Sequence, residues 1–294
     1  MLMVNEPNPL ISVCIINYNQ GRFFADALNS YLSQNYNPLE LIVIDDCSTD
    51  NSVEIINNLL KEKNVKANFI VNPVNCGICK NMNLAISLSK GKYFSVVASD
   101  DYFGPTRYEK LINASKQVDE SYKLFYSNCN MVDVAGKLIT TNFLNYCRPD
   151  LSIKEGDIFH ELLKGNFIPS IALLIRKDVF NDVGLFDESL HLEDFDMWLR
   201  IANRYKIGYV EDDEVFYRQV NNSWLRILQK RGSNYYKDHF NVLYKHFSFL
   251  NHKEKKDVFL MLYNLFKAHI KRNRKIDWGL SKKIIIVFLK TIIY

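Results

Sequence analysis

The chain has 294 residues and a formal net charge of +4, with 48% hydrophobic and 24% charged residues. That balance fits a folded protein with a sizeable core and excludes disordered and fibrous classes. Six cysteines are too few for a disulfide scaffold at this length. Cys76 and Cys79 form a C-x-x-C, but no second pair or suitably spaced histidines follow, so buried, reduced thiols are expected rather than zinc or redox chemistry. The opening MLMVNEPNPL lacks a basic start ahead of an apolar core, and IIIVFL at 284–289 is far short of the ~20 residues that span a bilayer. No secretory signal and a cytoplasmic location are expected.

The first hundred residues alternate two periods. LISVCIIN (10–17), LELIVID (39–45), ANFIVN (67–72) and KYFSVVA (92–98) read as buried strands. Helical patterns lie between them, over 22–34, 51–62 and 78–90, the second preceded by Ser48 and Asp50 as candidate caps. Strand and helix at this spacing predict right-handed crossovers and a parallel sheet, which binds ligands beyond the carboxyl ends of its strands. Three strand ends carry polar residues: NYN (17–19), DDCSTD (45–50) and SDD (99–101). On one rim they would form a single acidic cleft. From about 105 the pattern loosens: a helix at YEKLINASKQV, two strands within KLFYSNCNMVDVAGKLI, and irregular chain over 141–170. A strand and helix start follow in SIALLIRKDVF, then a clear helix in EDFDMWLRIANRY and strands in KIGYVEDDEVFYRQV. From 233 only helices are expected, about 233–248, 253–271 and 280–292.

At these residues the sequence resembles a family 2 glycosyltransferase of the inverting GT-A type, over about residues 10–220. The landmarks are SVCIINYN (12–19), LIVIDDCSTDNS (41–52), NCGICKNMN (75–83), GKYFSVVASDDYF (91–103), VGLFDESLHLEDFDMWLR (183–200) and YRQVNNS (217–223). Each is weak alone, and their order and spacing carry the resemblance. It implies an α/β GT-A fold with a mostly parallel central sheet flanked by helices and a C-terminal helical extension. The expected boundaries are a glycosyltransferase domain over 1–225, with a nucleotide-binding half at about 10–104 and an acceptor and catalytic half at 105–225, then helices over 226–294.

The same resemblance implies a nucleotide-sugar donor, with UDP expected, and Mn²⁺ or Mg²⁺ to neutralise the departing diphosphate. The family's Asp-x-Asp metal motif reads Ala98-Ser99-Asp100 here, so Asp100 is the implied ligand, with Asp101 a weaker candidate and Ser99 a substitute contact. Read from the residues alone, Asp100 could equally cap a helix near 105. The resemblance sets Asp45 and Asp46 on the nucleotide, Asp46 against a ring N–H of the base, and Tyr18 beside base or ribose. DDCSTDNS also admits an Asx turn and a helix cap. Met82 stands where many members have arginine, leaving Lys80 and Asn83 as nucleotide-side candidates. Val220 stands where many have histidine after Tyr217-Arg218, and Arg218 is left to contact the diphosphate.

Asp194 of the Glu-Asp pair is the implied general base, with Glu193 and Trp198 on the acceptor side. The pair could instead complement the positive end of the helix it opens, and Trp198 and Trp224 could be core. The implied reaction is inverting transfer of a hexose or N-acetylhexosamine to a saccharide acceptor. The expected acceptor is carried on undecaprenyl diphosphate, in bacterial O-antigen or capsule synthesis. The alternative is a non-catalytic nucleotide- or polysaccharide-binding protein of the same fold. NYNQGRF has one glycine, which argues against a nucleotidyltransferase phosphate loop and a dinucleotide fingerprint.

The tail holds the chain's charge asymmetry. Residues 267–290 carry eight Lys or Arg against Asp277, a net +7, leaving −3 elsewhere. This argues against a nucleic-acid partner. The nearly apolar last helix admits two readings: packing on the domain or a second subunit, or an interfacial helix over 267–294 on the anionic inner face of the cell membrane.

Overall fold

The computed structural model describes residues 7–147, 152–220, 233–273 and 277–292. Trp224, the last residues of the YRQVNNS landmark, the 225/226 boundary, Arg274 and Lys275 lie outside the described residues. The chain forms two compact units, one of residues 1–161, 167–186 and 200–220, the other of 162–166, 187–199 and 221–294.

The strands of the first unit are β1 (Ile11–Asn17), β2 (Leu39–Asp45), β3 (Ala67–Val71), β4 (Tyr93–Ala98), β5 (Tyr102–Phe103), β6 (Tyr122–Tyr126), β7 (Asn130–Val132), β8 (Leu138–Thr140), β9 (Leu173–Arg176), β10 (Lys206–Tyr209) and β11 (Val215–Arg218). A seven-stranded sheet runs β10-β6-β9-β4-β1-β2-β3. β1, β2, β3 and β4 are parallel, whereas β9 runs antiparallel to both β4 and β6. The helices Phe24–Leu32, Ser52–Glu62 and Ile78–Leu88 supply the crossovers. β1 is buried at every position, as a run with both faces covered must be. Its Ile11, Val13 and Ile15 pack with Leu41, Val43, Phe24 and Leu28 in the main core. β3 is only partly buried, because it forms the edge of the sheet.

Register is what positions the site. Ile16 pairs with Ile44 and Ala98, and Asn17 with Asp45, so β1, β2 and β4 end level. A smaller sheet, β5-β11-β7-β8, follows. Its β5 comes directly after the Ser99-Asp100-Asp101 turn and pairs antiparallel with β11.

Helix starts differ from the sequence expectation. Asp50 accepts the Ser52 N–H at 2.9 Å, but Ser48 turns inward to Asp45 instead of capping. Asp100 caps no helix: the helix Arg107–Lys116 is preceded by Thr106, whose N–H donates to Glu214 Oε2 at 2.8 Å. Arg107 is fully buried and pairs at 3.3 Å with the equally buried Asp212.

In the second unit, residues 195–199 of the helix Glu193–Ala202 are all buried. Asp196 accepts from Lys245 at 3.0 Å and meets His246 Nε2 at 3.1 Å, which fixes that segment to the helix Ser233–His246. The helices His252–Asn273 and Trp278–Ile292 complete the unit, with Lys237 on Asp277 at 3.1 Å.

Candidate active site

The level strand ends create a polar network beneath the rim. Asn17 Nδ2 donates to Asp45 Oδ2 at 2.7 Å, Ser48 Oγ donates to the same oxygen at 2.7 Å, and Ser99 Oγ donates to Asn17 Oδ1 at 2.6 Å. Asp45 also accepts the Ser48 N–H at 2.8 Å and is wholly buried, as is nearly all of Ser99. Both were expected at the nucleotide. The structure makes them interior struts instead, because strand ends buried on both faces must satisfy their polar groups internally.

Asp46 shapes the neighbouring loop. Its carboxylate accepts the Cys76 N–H at 2.7 Å, the Gly77 N–H at 2.9 Å and Asn72 Nδ2 at 2.9 Å. Burial works against its charge, but these bonds and Asn81 outweigh it and hold the group below the usual carboxylate range. Gly77, at φ 81°, turns its N–H toward Asp46 in a conformation that disfavours side chains. Asp46 is 3% exposed, whereas Tyr18 on the neighbouring strand end is 48% exposed. Of the two, only Tyr18 offers an open face. Lys80 is exposed in the first turn of the helix Ile78–Leu88. Asn83 exchanges hydrogen bonds with the Phe186 main chain, at 3.0 Å to its carbonyl and 2.9 Å from its N–H. Its amide thus ties two chain segments together.

Asp100 and Asp101 part company. Asp101 is buried and accepts the Arg218 N–H at 2.8 Å, so it joins the end of β4 to β11 and is no open metal ligand. Burial and the adjacent Asp100 charge push its carboxyl well above the usual range. Asp100 is half-buried, and no other residue's side chain among those described donates to it. Burial raises its pKa, and the charges of Arg218 and Arg22 only partly offset this. The ring of Phe23 lies 4.5 Å from both guanidinium centres, which gathers two cations beside the carboxylate. Arg218 also pairs with Asp26 at 2.7 Å, yet its buried Nε has no hydrogen-bond partner. Arg218 and Tyr102 further line a cleft of ≈ 520 Å³ with Asp26, Asn29 and Gly136.

These residues fit a divalent cation and a diphosphate. A hard cation takes carboxylate oxygen, and a half-buried carboxylate with a raised pKa gains most from one. The orphaned Arg218 Nε suits an anionic oxygen. No three His, Cys, Asp or Glu side chains cluster as a metal cage among the described residues. A cation on Asp100 would therefore take further ligands from phosphate and water.

In the second unit, Asp194 Oδ2 accepts from Asn166 Nδ2 at 3.0 Å, and its Oδ1 accepts the Phe195 N–H at 2.6 Å. Burial raises this carboxyl, and Asp194 stands above the usual range despite those bonds. Burial and the Asp194 charge push Glu193 up to about 8. Trp198 is fully buried, so it packs the interior and offers no face to an acceptor. Arg22 and Asn166 carried no signal in the sequence, one at the start of a helical pattern, the other in the irregular stretch before 170.

The exposed Tyr18 and the carboxylate of Asp100 follow the level ends of β1 and β4, and Arg22 and Arg218 add positive charge beside Asp100. The family model for glycosyl transferase family 2 matches residues 12–182. The chain belongs to that family. It is 30% identical over 206 residues to an uncharacterized glycosyltransferase of Rickettsia felis, which covers 69% of this chain and 33% of the relative. The chain thus spans about a third of that relative's length. It is 26% identical over 274 residues to WcaA of Escherichia coli, a glycosyl transferase assigned to colanic acid biosynthesis, with 92% of this chain and 91% of the relative covered. Two solved structures share the GT-A fold. Staphylococcus aureus TarS 1–349 with UDP-GlcNAc gives a TM-score of 0.59 at 16% identity, covering 94% of this chain and 79% of that one. The mannosyltransferase PcManGT of Pyrobaculum calidifontis with GDP-Man and Mn²⁺ gives 0.61 at 13% identity, covering 98% and 81%.

Proposed function

We propose that this chain transfers a hexose or N-acetylhexosamine from a nucleoside diphosphate sugar to a saccharide acceptor, with inversion and with a divalent cation. The carrying observation is Asp100, a half-buried carboxylate with a raised pKa beside Arg22 and Arg218 at the end of a parallel strand. Mn²⁺ or Mg²⁺ on Asp100, when bound, supplies positive charge to the departing diphosphate. Arg218 offers its orphaned Nε to a phosphate oxygen, and Arg22 adds charge. Tyr18 stacks on the base, and Asp46 contributes by shaping the loop through Gly77.

Asp194 accepts the proton of the acceptor hydroxyl. The acceptor oxygen then bonds the anomeric carbon from the face opposite the diphosphate, the bond from that carbon to the phosphate oxygen breaks, and its electron pair leaves with the nucleoside diphosphate. A carboxyl raised by burial is a stronger base than one held low by a helix terminus. Asn166 fixes the orientation of the carboxylate.

The donor nucleotide is proposed to be UDP, which the complex of TarS with UDP-GlcNAc supports, although the GDP-Man complex shows that the fold accommodates guanine too. The assignment of WcaA to colanic acid supports a surface-polysaccharide role, with an undecaprenyl-diphosphate-linked acceptor in O-antigen or capsule synthesis. The test screens UDP- and GDP-sugars for hydrolysis with and without Mn²⁺. Metal-dependent release of UDP from one donor is expected. UDP binding with neither hydrolysis nor transfer would leave a nucleotide-binding protein.

A further inference from the structure

The helix Trp278–Ile292 is apolar on two opposite faces. Its Leu280, Ile284 and Val287 are buried, whereas Trp278 is 78%, Ile285 58% and Leu289 49% exposed. At about 100° per residue, Trp278, Ile285 and Leu289 fall within an arc of about 40°, roughly opposite the buried row. Packing within the unit therefore explains one face and leaves the other without a partner among the described residues.

The helix beside it supplies charge. Its buried row is Val258, Leu262 and His269, and roughly opposite lie the exposed Lys253, Lys256, Leu260, Lys267 and Lys271. Against these lysines the helix sets Glu254, bonded to Asn251, and the exposed Asp257. The last helix adds exposed Lys282 and Lys290 and contains no acid. Phe259 and Phe288 pack together at 5.7 Å and join the two helices.

We propose that these two helices dock on an anionic lipid surface, the lysines meeting headgroups while Trp278, Ile285 and Leu289 enter the interface. Apolar side chains flanked by lysines match a surface that is anionic outside and apolar within. A second copy would set these lysines against one another, and charge thus favours lipid over self-association. No helix among the described residues is long and apolar enough to cross a membrane, so the helix lies along the surface. The inference concerns placement and holds whichever donor and acceptor the enzyme uses.

The experiment sediments the full chain with vesicles of phosphatidylglycerol and phosphatidylethanolamine, and with phosphatidylcholine alone. Binding to the anionic vesicles is expected, weakened but not abolished by high salt. Lys282→Gln and Lys290→Gln should each weaken it roughly fivefold. Ile285→Ser with Leu289→Ser should abolish it while leaving the melting temperature unchanged, since both residues are exposed. Trp278 fluorescence should shift to the blue on binding, and Trp278→Phe should remove that shift. Wild-type binding by the double serine variant would overturn the proposal. So would a dimer in sedimentation velocity that the double variant dissolves, with no vesicle binding by the parent chain; the face would then belong to a second copy.

Discussion

The buried carboxyl of Asp101 accepts the main-chain N–H of Arg218 at 2.8 Å, while its neighbour Asp100 takes no side-chain donor from another described residue. Adjacent and chemically identical, the two have different duties. Asp101→Ala leaves a buried N–H without an acceptor and should destabilise the protein by about 1–3 kcal/mol. Asp101→Asn keeps an acceptor and should cost less. Chemical denaturation of both variants checks this ranking.

Asp100→Ala should behave in the opposite way. The folded state loses no side-chain hydrogen bond, so melting should shift little, whereas metal-dependent UDP binding and donor hydrolysis should disappear. Calorimetry of UDP binding with Mn²⁺ reads the first effect, and full activity in excess chelator would count against the assignment.

Asp194→Asn keeps the shape and the Asn166 contact but loses the basic oxygen. Turnover should fall by roughly 10²–10⁴-fold with donor affinity nearly unchanged. Burial raises the Asp194 pKa, so in the parent enzyme the transfer rate should fall on the acid side from a higher pH than an ordinary aspartate would give. Transfer rates across pH, at saturating donor, show whether that acid limb vanishes in the variant.

His239 lies against Phe195 and Tyr235, with ring centroids at 5.3 and 4.8 Å, and burial lowers its pKa from 6.5 to about 4. The unfolded chain takes up the proton first as pH falls. Stability from this residue is therefore complete above about 6.5 and declines toward 4, by up to about 1.4 kcal/mol per pH unit. His239→Phe should flatten that part of the profile, as melting temperatures between pH 7 and pH 4 would show.

The parallel half was legible because its signals are local. Apolar runs of strand length, separated by helical periods, specify β1, β2 and β4 and the polar rim beyond them. Which rim residues face inward was not legible. Asp45 and Ser99 sit beside Asp46 and Asp100 in sequence, and only the register of Asn17 against Asp45 shows that one set closes on itself. The tie between Asn83 and Phe186 was not legible for a related reason: the two lie 103 residues apart, and no local pattern encodes that meeting. Trp198 sits in a helix with an apolar stripe, but burial there extends through every residue from 195 to 199, beyond what periodicity announces. One face of the last helix is packed and the other is exposed, a division that its nearly apolar sequence does not announce.

The interlocked Asn17, Asp45, Ser48 and Ser99 divide the rim into positions that can be altered and positions that cannot. Any of the four, once replaced, strands a hydrogen-bonding partner in the interior. Tyr18, Arg22 and Lys80 are exposed and hold no place in that lattice. A library built to redirect the enzyme to another nucleotide or sugar should randomise those three and keep the four fixed. Its clones will then fail by chemistry rather than by misfolding.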